Sequence, residues 1–379
     1  MDKVIFLHIG TSKTGTSSIQ DFLYRNSSVL AEKGYCFKQM PIRYQRASKN
    51  RNALFLNRRP LTLFGTPSER LREKLLKFGL KQVKDQLEHF SSVVLTDEAL
   101  WNSFLKTDCK TLKRIKAFSD ENGAQLKLIV YFRPQDDWLE SSYKQRIRKF
   151  RGKTILPEWD TFFNSPETWP KMDYYNGLCT MSEIVGKDNI IVRIYNRADF
   201  PEGKVENDFL QAIGLQPSGE YKMAKEEINT SLSTNYIELK RILNQLDGVG
   251  NVSLTELISA ERAAVECSKK FNTLDKKTFI TPEQKKKIRD KYSHGNQKIA
   301  EEYLHQSTPL FPAPRETPVW IRNDSELFED ALLLLGSMIL EQEREIMRLK
   351  KTVHLRLKVY DACSSLWEKA RHIIMNSPK

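Results

Sequence analysis

A short loop near the amino terminus combines the residue types that bind phosphate or sulfate groups. It lies between an apolar segment and a stretch with helical spacing, and it reads Gly10-Thr11-Ser12-Lys13-Thr14-Gly15-Thr16-Ser17-Ser18. Such a loop presents consecutive backbone N–H groups, and the amino end of the following helix adds a partial positive charge. Lys13 adds a full positive charge, and the hydroxyl groups add donors. The loop is therefore predicted to bind a phosphate or sulfate group.

The order of residues in this loop differs from two common nucleotide-binding loops. A Walker A loop ends in Gly-Lys followed by Ser or Thr, whereas here Thr16 follows Gly15 and Lys13 precedes that glycine. The G-x-G-x-x-G pattern of dinucleotide-binding folds is absent as well. A turn rich in Gly, Ser and Thr that binds no ligand is the alternative interpretation.

A second candidate site begins at Arg133, directly after the apolar segment 126–132. The guanidinium group presents a fork of donors that suits a phosphate group. A helix that begins just after Arg133 would direct its backbone N–H groups the same way. The alternative is a surface ion pair of Arg133 with Asp136 or Asp137.

The acidic pair Asp97-Glu98 follows the apolar segment 93–96 and is a candidate for proton transfer. A carboxylate can take the proton from an attacking hydroxyl group. The segment also resembles a Walker B strand, whose acidic residue would hold Mg²⁺, but no Walker A lysine accompanies it. A plain acidic pair at the start of a helix is the structural alternative. His8 lies within an apolar strand segment and is predicted to be packed, and the other histidines are isolated, so no metal site is predicted.

These candidates all lie at the ends of apolar segments that are predicted to be strands. The predicted strands are 4–9, 93–96, 126–132 and 190–195, and helical spacing follows the first three, with helices at 109–122 and 136–150. Strands that alternate with helices predict an α/β fold with a doubly wound, mostly parallel sheet and flanking helices. Ligands bind such sheets at the carboxyl ends of the strands, which is where the candidate residues lie.

The remainder of the chain is predicted to be mostly helical. Asn229-Thr230-Ser231 is a candidate helix cap, and the predicted divisions are an α/β domain over 1–306, a proline-rich linker over 307–325 and a helical C-terminal extension over 326–379. Within the extension, apolar residues from Leu332 to Ile374 follow one heptad frame that Gln342 and Arg356 interrupt. Such a frame predicts either a coiled-coil homodimer or an amphipathic helix that packs on its own domain.

The composition excludes several classes of protein. Of 379 residues, 40% are hydrophobic and 29% are charged, which is typical of a globular protein. The net charge of +13 favours an anionic partner without choosing among nucleotide, acidic glycan, lipid surface and nucleic acid. The five cysteines are far apart, so a zinc ribbon or a dense disulfide framework is excluded. Without a membrane-length apolar stretch or a signal segment, the protein is expected to be cytoplasmic.

Two of these motifs together resemble those of sulfotransferases that use 3′-phosphoadenosine 5′-phosphosulfate (PAPS). The first motif, His8-Ile9-Gly10 with Lys13-Thr14-Gly15-Thr16-Ser17-Ser18-Ile19-Gln20, is similar to the 5′-phosphosulfate loop of the bacterial carbohydrate-type branch. The second motif, Arg133 with Ser141 eight residues later, is similar to the family's 3′-phosphate motif. Weaker similarity extends over roughly residues 3 to 245, and the glycine-rich closing loop of cytosolic phenol and steroid sulfotransferases is missing.

The resemblance implies a P-loop-like fold and transfer of a sulfuryl group from PAPS, without a metal, to a hydroxyl group of a glycan or glycolipid. It implies catalytic roles for Lys13 and for Glu98 as the base, with Asp97 as the second choice. The residues implied in PAPS binding are Lys13, Thr14, Gly15, Thr16, Ser17, Ser18, Arg133 and Ser141.

This interpretation predicts a glycan or glycolipid acceptor as the partner and no nucleic acid. The basic run Lys38 to Arg59 would allow the acceptor to be acidic. Peripheral membrane contact and a homodimer through the C-terminal helix are both compatible with the pattern. Two other classes remain open: an ATP-dependent kinase or NTPase that needs Mg²⁺, and a non-catalytic protein that binds acidic polymer or membrane.

Overall fold

The computed structural model divides the chain into two compact units. It describes residues 3–39, 50–57, 69–148, 156–223, 233–245, 277–314 and 316–375. The first unit comprises residues 1–144, 157–228 and 280–316, and the second comprises 145–156, 229–279 and 317–379. The predicted limits 1–306, 307–325 and 326–379 divide the chain at other points and stay a prediction. The predicted cap at 229–231 lies outside the described residues.

A five-stranded parallel sheet forms the centre of the first unit. Its strands are β1 (Lys3–Gly10), β2 (Tyr35–Cys36), β3 (Ser92–Thr96), β4 (Ala124–Phe132) and β5 (Ile190–Ile194). Their order is β2-β3-β1-β4-β5, and every pairing is parallel, so β1 is the central strand. The predicted α/β fold is confirmed. The four predicted strands correspond to β1, β3, β4 and β5, whereas β2 was not predicted.

Helices connect and flank these strands. In chain order they are α1 (Thr16–Arg25), α2 (Ser27–Glu32), α3 (Glu69–His89), α4 (Leu100–Lys106), α5 (Lys110–Glu121), α6 (Gln135–Arg148), α7 (Trp159–Phe163), α8 (Tyr174–Val185), α9 (Val205–Ala212), α10 (Thr234–Leu243), α11 (Pro282–Tyr303) and α12 (Asp324–Met375). None of the helices in the described part of the chain is long and apolar enough to cross a membrane.

Both faces of the sheet are buried, which explains the uninterrupted apolar runs of its strands. Leu7 and Leu95 point to one face, where side chains of α3, α4, α5 and α8 cover them. Their neighbours Phe6 and Val94 point to the other face, which α1 and α9 cover. Because successive side chains of a strand alternate between faces, a strand buried on both faces is expected to be mostly apolar, and its buried polar side chains, such as His8 and Thr96, pair with each other.

The second unit is mainly helical in its described part. Asn235 of α10 donates to Asp330 of α12 at 2.9 Å and accepts from Trp320 Nε1 at 2.6 Å. The ion pair of Arg241 with Glu238, at 2.8 Å, is buried within α10. The hydrogen bond between Asn235 and Asp330 joins α10 to the amino-terminal part of α12.

Candidate active site

The loop predicted to bind an anion joins β1 to α1 at the carboxyl end of the central strand. Lys13 and Gly15 both adopt the left-handed backbone conformation, each with φ of 72°. Gly15 is the N-cap residue of α1, and no side chain of the described residues caps this helix. The N–H groups of the first turn are therefore available to an anionic ligand.

The hydroxyl residues of the loop differ in what they can offer a ligand. Thr14 is fully buried, and its hydroxyl donates to the backbone carbonyl of Thr11 at 2.6 Å. Thr11 in turn donates to a backbone carbonyl of β4 at 3.1 Å. The Thr14 side chain thus stabilises the loop, so the predicted role of Thr14 in binding is confined to its N–H group. Thr16 is buried, Ser18 is half-buried and Ser17 is exposed.

Gly10 brings the residue after β3 against the start of this loop. Its φ is +94°, and a Cβ atom at this position would lie 2.5 Å from the backbone oxygen of Glu98. The register of β1 with β3 pairs His8 with Thr96, so the residues that follow, Gly10 and Glu98, also lie side by side. The sheet itself therefore holds Glu98 next to the loop that is predicted to bind an anion.

This close approach predicts a large loss of stability for Gly10→Ala. The left-handed backbone alone costs about 1–2 kcal/mol for a residue with a Cβ atom, and the clash with Glu98 adds about 1–3 kcal/mol. Gly123→Ala is the matched control, because Gly123 also has a positive φ, of +60°, but its Cβ would meet no atom within 4 Å. Urea denaturation should give a smaller loss for Gly123→Ala, and equal losses would contradict the described packing.

Arg133 lies on the opposite side of the loop, directly after β4. Its Nη1 atom donates to the backbone oxygen of Lys13 at 3.3 Å. Its Nε atom is buried and has no hydrogen-bond partner among the described residues. Trp138 of α6 also donates to the loop, from Nε1 to the Ser12 oxygen at 3.1 Å. A buried guanidinium N–H that lacks a partner among the described residues fits an anionic ligand at this loop, since an unsatisfied buried donor is costly.

The two acidic residues after Arg133 have separate partners. Asp137 is exposed and lies 3.7 Å from the Arg133 guanidinium. Of the two ion pairs that were the alternative interpretation of Arg133, the one with Asp137 is therefore present. Asp136 is buried and instead pairs with Arg289 of α11 at 3.1 Å. Ser141 is half-buried in the second turn of α6, and no hydrogen bond among the described residues joins it to Arg133 or to the loop.

The carboxylate of Glu98 is held by two donors and remains open to solvent. Gln20 of α1 donates to one oxygen at 3.1 Å, and Arg51 lies 3.2 Å from the other. The Glu98 side chain is 29% exposed. An ionised carboxylate in this position is oriented by its donors and still accessible to a proton donor from solution.

Asp97 has the opposite environment. Its side chain is fully buried and accepts hydrogen bonds from Arg51, from Asn57 at 3.3 Å and from the Ala99 N–H at 2.8 Å. Burial raises the pKa of Asp97, while the positive charge of Arg51 opposes this rise. The contacts indicate that Asp97 anchors Arg51, which in turn contacts Glu98.

His8 is packed in the core, as predicted. Its Nδ1 atom lies 2.9 Å from the Thr96 hydroxyl, and its ring packs edge-on against Tyr131 and Phe209. Burial lowers the pKa of His8 to about 3, so the imidazole is neutral at physiological pH.

Arg51, Gln20 and Asn57 belong to this cluster and were not predicted as site residues. Arg51 lies within the basic run Lys38 to Arg59, whose described part covers 38–39 and 50–57. That run was the signal that could have drawn attention to Arg51. No group of three or more His, Cys, Asp or Glu side chains in the described residues is placed to hold a metal ion.

Comparisons with known proteins place the chain in a family. No protein-family model matches the sequence. A protein of Archaeoglobus fulgidus, described only as an uncharacterized protein, is 30% identical over 264 residues, which are 68% of each chain. The present chain belongs to the same family as this archaeal protein. A solved sulfotransferase structure from Alicyclobacillus acidocaldarius matches 69% of this chain and all of its own, at 14% identity and a TM-score of 0.37. A likeness with so low a TM-score carries no conclusion about this chain.

Proposed function

We propose that this protein is a PAPS-dependent sulfotransferase that transfers a sulfuryl group to a hydroxyl group of a glycan or glycolipid. One observation carries the proposal. The loop around Lys13 lies between Arg133, whose Nε lacks a partner among the described residues, and Glu98, whose carboxylate is accessible. The side chains of Lys13 and Arg133 and the uncapped start of α1 suit a donor with two anionic groups. The Glu98 carboxylate suits an acceptor that attacks through a hydroxyl group.

In this proposal the loop and Arg133 hold the two anionic ends of the donor. The N–H groups from Thr14 to Ser18, together with the Thr16 and Ser17 hydroxyls, would bind the 5′-phosphosulfate. Arg133 and Ser141 would bind the 3′-phosphate, and the Arg133 guanidinium would offer it charge-assisted hydrogen bonds. The left-handed backbone at Lys13 and Gly15 supports this assignment, because such turns direct consecutive N–H groups into one concavity.

The proposed reaction is an in-line displacement in which Glu98 and Lys13 act on opposite ends. Glu98 takes the proton of the acceptor hydroxyl as its oxygen forms the new bond to sulfur. The bond between sulfur and the 5′-phosphate oxygen breaks, and Lys13 stabilises the negative charge that develops on that oxygen. The products are the sulfated acceptor and 3′-phosphoadenosine 5′-phosphate (PAP), and the proton remains on Glu98 until solvent removes it.

An NTPase with Mg²⁺ at the Walker B-like position is less well supported. Asp97 would be the metal ligand, but its carboxylate already accepts from Arg51, Asn57 and Ala99. A fully buried carboxylate with three donors has little capacity left for a cation.

We expect Arg133→Ala to weaken donor binding more than it slows the reaction. The 3′-phosphate is remote from sulfur, so its contacts are equally strong in the ground state and the transition state. A hydrogen bond to a charged group contributes about 1.5–3 kcal/mol, so KM for PAPS should rise about 10–150-fold at nearly constant kcat. Asp137→Asn is the control, because it removes only the exposed partner of Arg133 at 3.7 Å. Steady-state kinetics in which Arg133→Ala loses kcat at constant KM would contradict this assignment.

The proposed function is tested by transfer of ³⁵S from labelled PAPS to a panel of neutral and acidic glycans and glycolipids. Label in an acceptor, together with release of PAP in equal amount, is the expected result. Label in none of these acceptors, accompanied by Mg²⁺-dependent release of phosphate from ATP, would replace the sulfotransferase with an NTPase.

A further inference from the structure

The distal part of α12 has no neighbour in the described structure. Leu327 and Leu334, near its start, are buried. From Ile339 to Ser365, in contrast, every described side chain of the helix is exposed. Helices in proteins owe most of their stability to an apolar face that packs on a neighbour. A long helix that exposes many apolar side chains therefore requires a partner that buries them.

Seven of the exposed apolar residues between Leu332 and Tyr360 occupy positions a and d of one heptad frame, whereas others of similar exposure, such as Leu340 and Met347, lie at b. Position a holds Leu332, Ile339, Ile346, Val353 and Tyr360, and position d holds Leu335, Gln342, Leu349, Arg356 and Cys363. The apolar a and d residues from Leu332 to Tyr360 are between 45% and 71% exposed. The buried Leu327 and Leu334 both fall at position c, away from this seam. One side of the helix thus packs within its own unit while the a/d seam is uncovered.

The residue types at the seam favour a parallel pair of helices. Ile339, Ile346 and Val353 are β-branched residues at a, and Leu335 and Leu349 are leucines at d. This combination is the one that favours two-stranded parallel coiled coils. The polar residues Gln342 and Arg356 at d interrupt the apolar seam and lower its stability.

Charges beside the seam agree with the same arrangement. Glu345 occupies position g, and Lys350 occupies position e of the following heptad. In a parallel, in-register pair, g of one helix faces this e position of the other, so each Glu345 faces the other copy's Lys350. Among the described residues, the ion pair of Glu345 is an exposed one with Arg348 at 2.9 Å. Exposed pairs of this kind contribute little and do not compete strongly with a second partner.

We propose that the exposed seam of α12 binds a second copy of this chain as a parallel, in-register, two-stranded coiled coil. The uncovered a/d seam, the β-branched residues at a and the complementary Glu345 and Lys350 carry this inference. It does not rest on the proposed function, so neither proposal depends on the other. The side chains of Trp367, Ala370 and Ile374, which continue the predicted frame, lie outside the described part.

Substitutions at two neighbouring apolar residues distinguish association through the a/d seam from nonspecific hydrophobic association. Ile346 lies at a and Met347 at b, and they are 50% and 57% exposed. Ile346→Glu should weaken the dimer by at least about 100-fold, since it places a charge in each chain's buried layer. Met347→Glu should leave the dimer intact. Light scattering of the full-length proteins at micromolar concentration provides the measurement.

The thiol of Cys363 reports the orientation of the helices. It is a free, exposed cysteine at a d position, so the two copies face each other in a parallel, in-register pair. Diamide should then oxidise the two thiols to one disulfide, with diamide taking up the two electrons and two protons. Cys363→Ser should abolish this cross-link. A dimer that scattering detects but that Cys363 does not cross-link would overturn the parallel arrangement.

Charge exchange gives a second test of register. Glu345→Lys and Lys350→Glu each place like charges opposite one another in a homodimer, whereas a mixture of the two variants restores both attractive pairs. The mixture should therefore form a heterodimer more stable than either homodimer. A full-length protein that is monomeric would overturn the proposal. Binding to phosphatidylcholine–phosphatidylserine vesicles that Ile346→Glu abolishes would overturn it in favour of a membrane surface.

Discussion

Replacement of Glu98 by glutamine is expected to lower kcat for sulfuryl transfer by about 10²–10⁴-fold, which is the usual contribution of a positioned general base. Glu98 lies against Gly10 at the end of the central strand, and its carboxylate is oriented by Gln20 and Arg51. The amide cannot take the acceptor proton, although it has the same shape. Affinity for PAP should be nearly unchanged, because the base contacts the acceptor and not the nucleotide.

Three further variants distinguish the base from its supports. Gln20→Met removes one donor to Glu98 and should lower kcat by less than Glu98→Gln does, since Arg51 still orients the carboxylate. Asp97→Asn should act mainly on stability, because Asp97 is buried among donors. If Glu98→Gln keeps nearly full turnover while His8→Asn abolishes it without unfolding the protein, Glu98 is not the base.

Replacement of Lys13 by methionine is expected to lower kcat by about 10²–10³-fold, which is the typical loss when one preorganised electrostatic group is removed. Lys13 is half-buried at the tip of the turn between β1 and α1, where the leaving oxygen is proposed to lie. Methionine preserves the length of the side chain and removes the charge. Single-turnover kinetics with saturating PAPS would measure the chemical step directly.

The backbone at Lys13 supplies a control for this variant. Its φ of 72° is a conformation that glycine adopts without strain. Lys13→Gly should therefore lose as much kcat as Lys13→Met while the protein stays as resistant to urea as the wild type. Lys13→Arg should retain part of the activity because the charge remains. A Lys13→Gly protein with wild-type turnover would exclude a role for the side chain.

The sheet was largely predictable because its strands are buried on both faces. Each of the segments around Leu7, Leu95 and Ile129 is an uninterrupted apolar run, and such runs identify a strand in an α/β fold. The strand β2 is only two residues long and carries no periodic signal. The order of the strands, with β1 at the centre, depends on long-range pairing that no local pattern contains.

The candidate site was predictable where one local motif contains its residues. Lys13 and Arg133 each follow a strand, so the parallel topology brings them to one edge of the sheet. Arg51 could not be assigned in this way. It reaches Asp97 and Glu98 from a segment without regular secondary structure, 46 positions away from Asp97 in the chain. The sequence neighbours of Thr14 also do not reveal that its hydroxyl donates to the Thr11 carbonyl.

The most direct measurement of the sulfotransferase assignment is the binding of PAP, AMP and ATP by calorimetry in the presence of EDTA. Lys13 and Arg133 would supply the positive charge that an NTPase takes from Mg²⁺, so PAP should bind without a metal. PAP and AMP differ only in the 3′-phosphate, which the site is proposed to recognise through Arg133. PAP should therefore bind at least about tenfold more tightly than AMP, and ATP should bind more weakly than PAP. Binding of ATP in preference to PAP, and only when Mg²⁺ is added, would contradict the account.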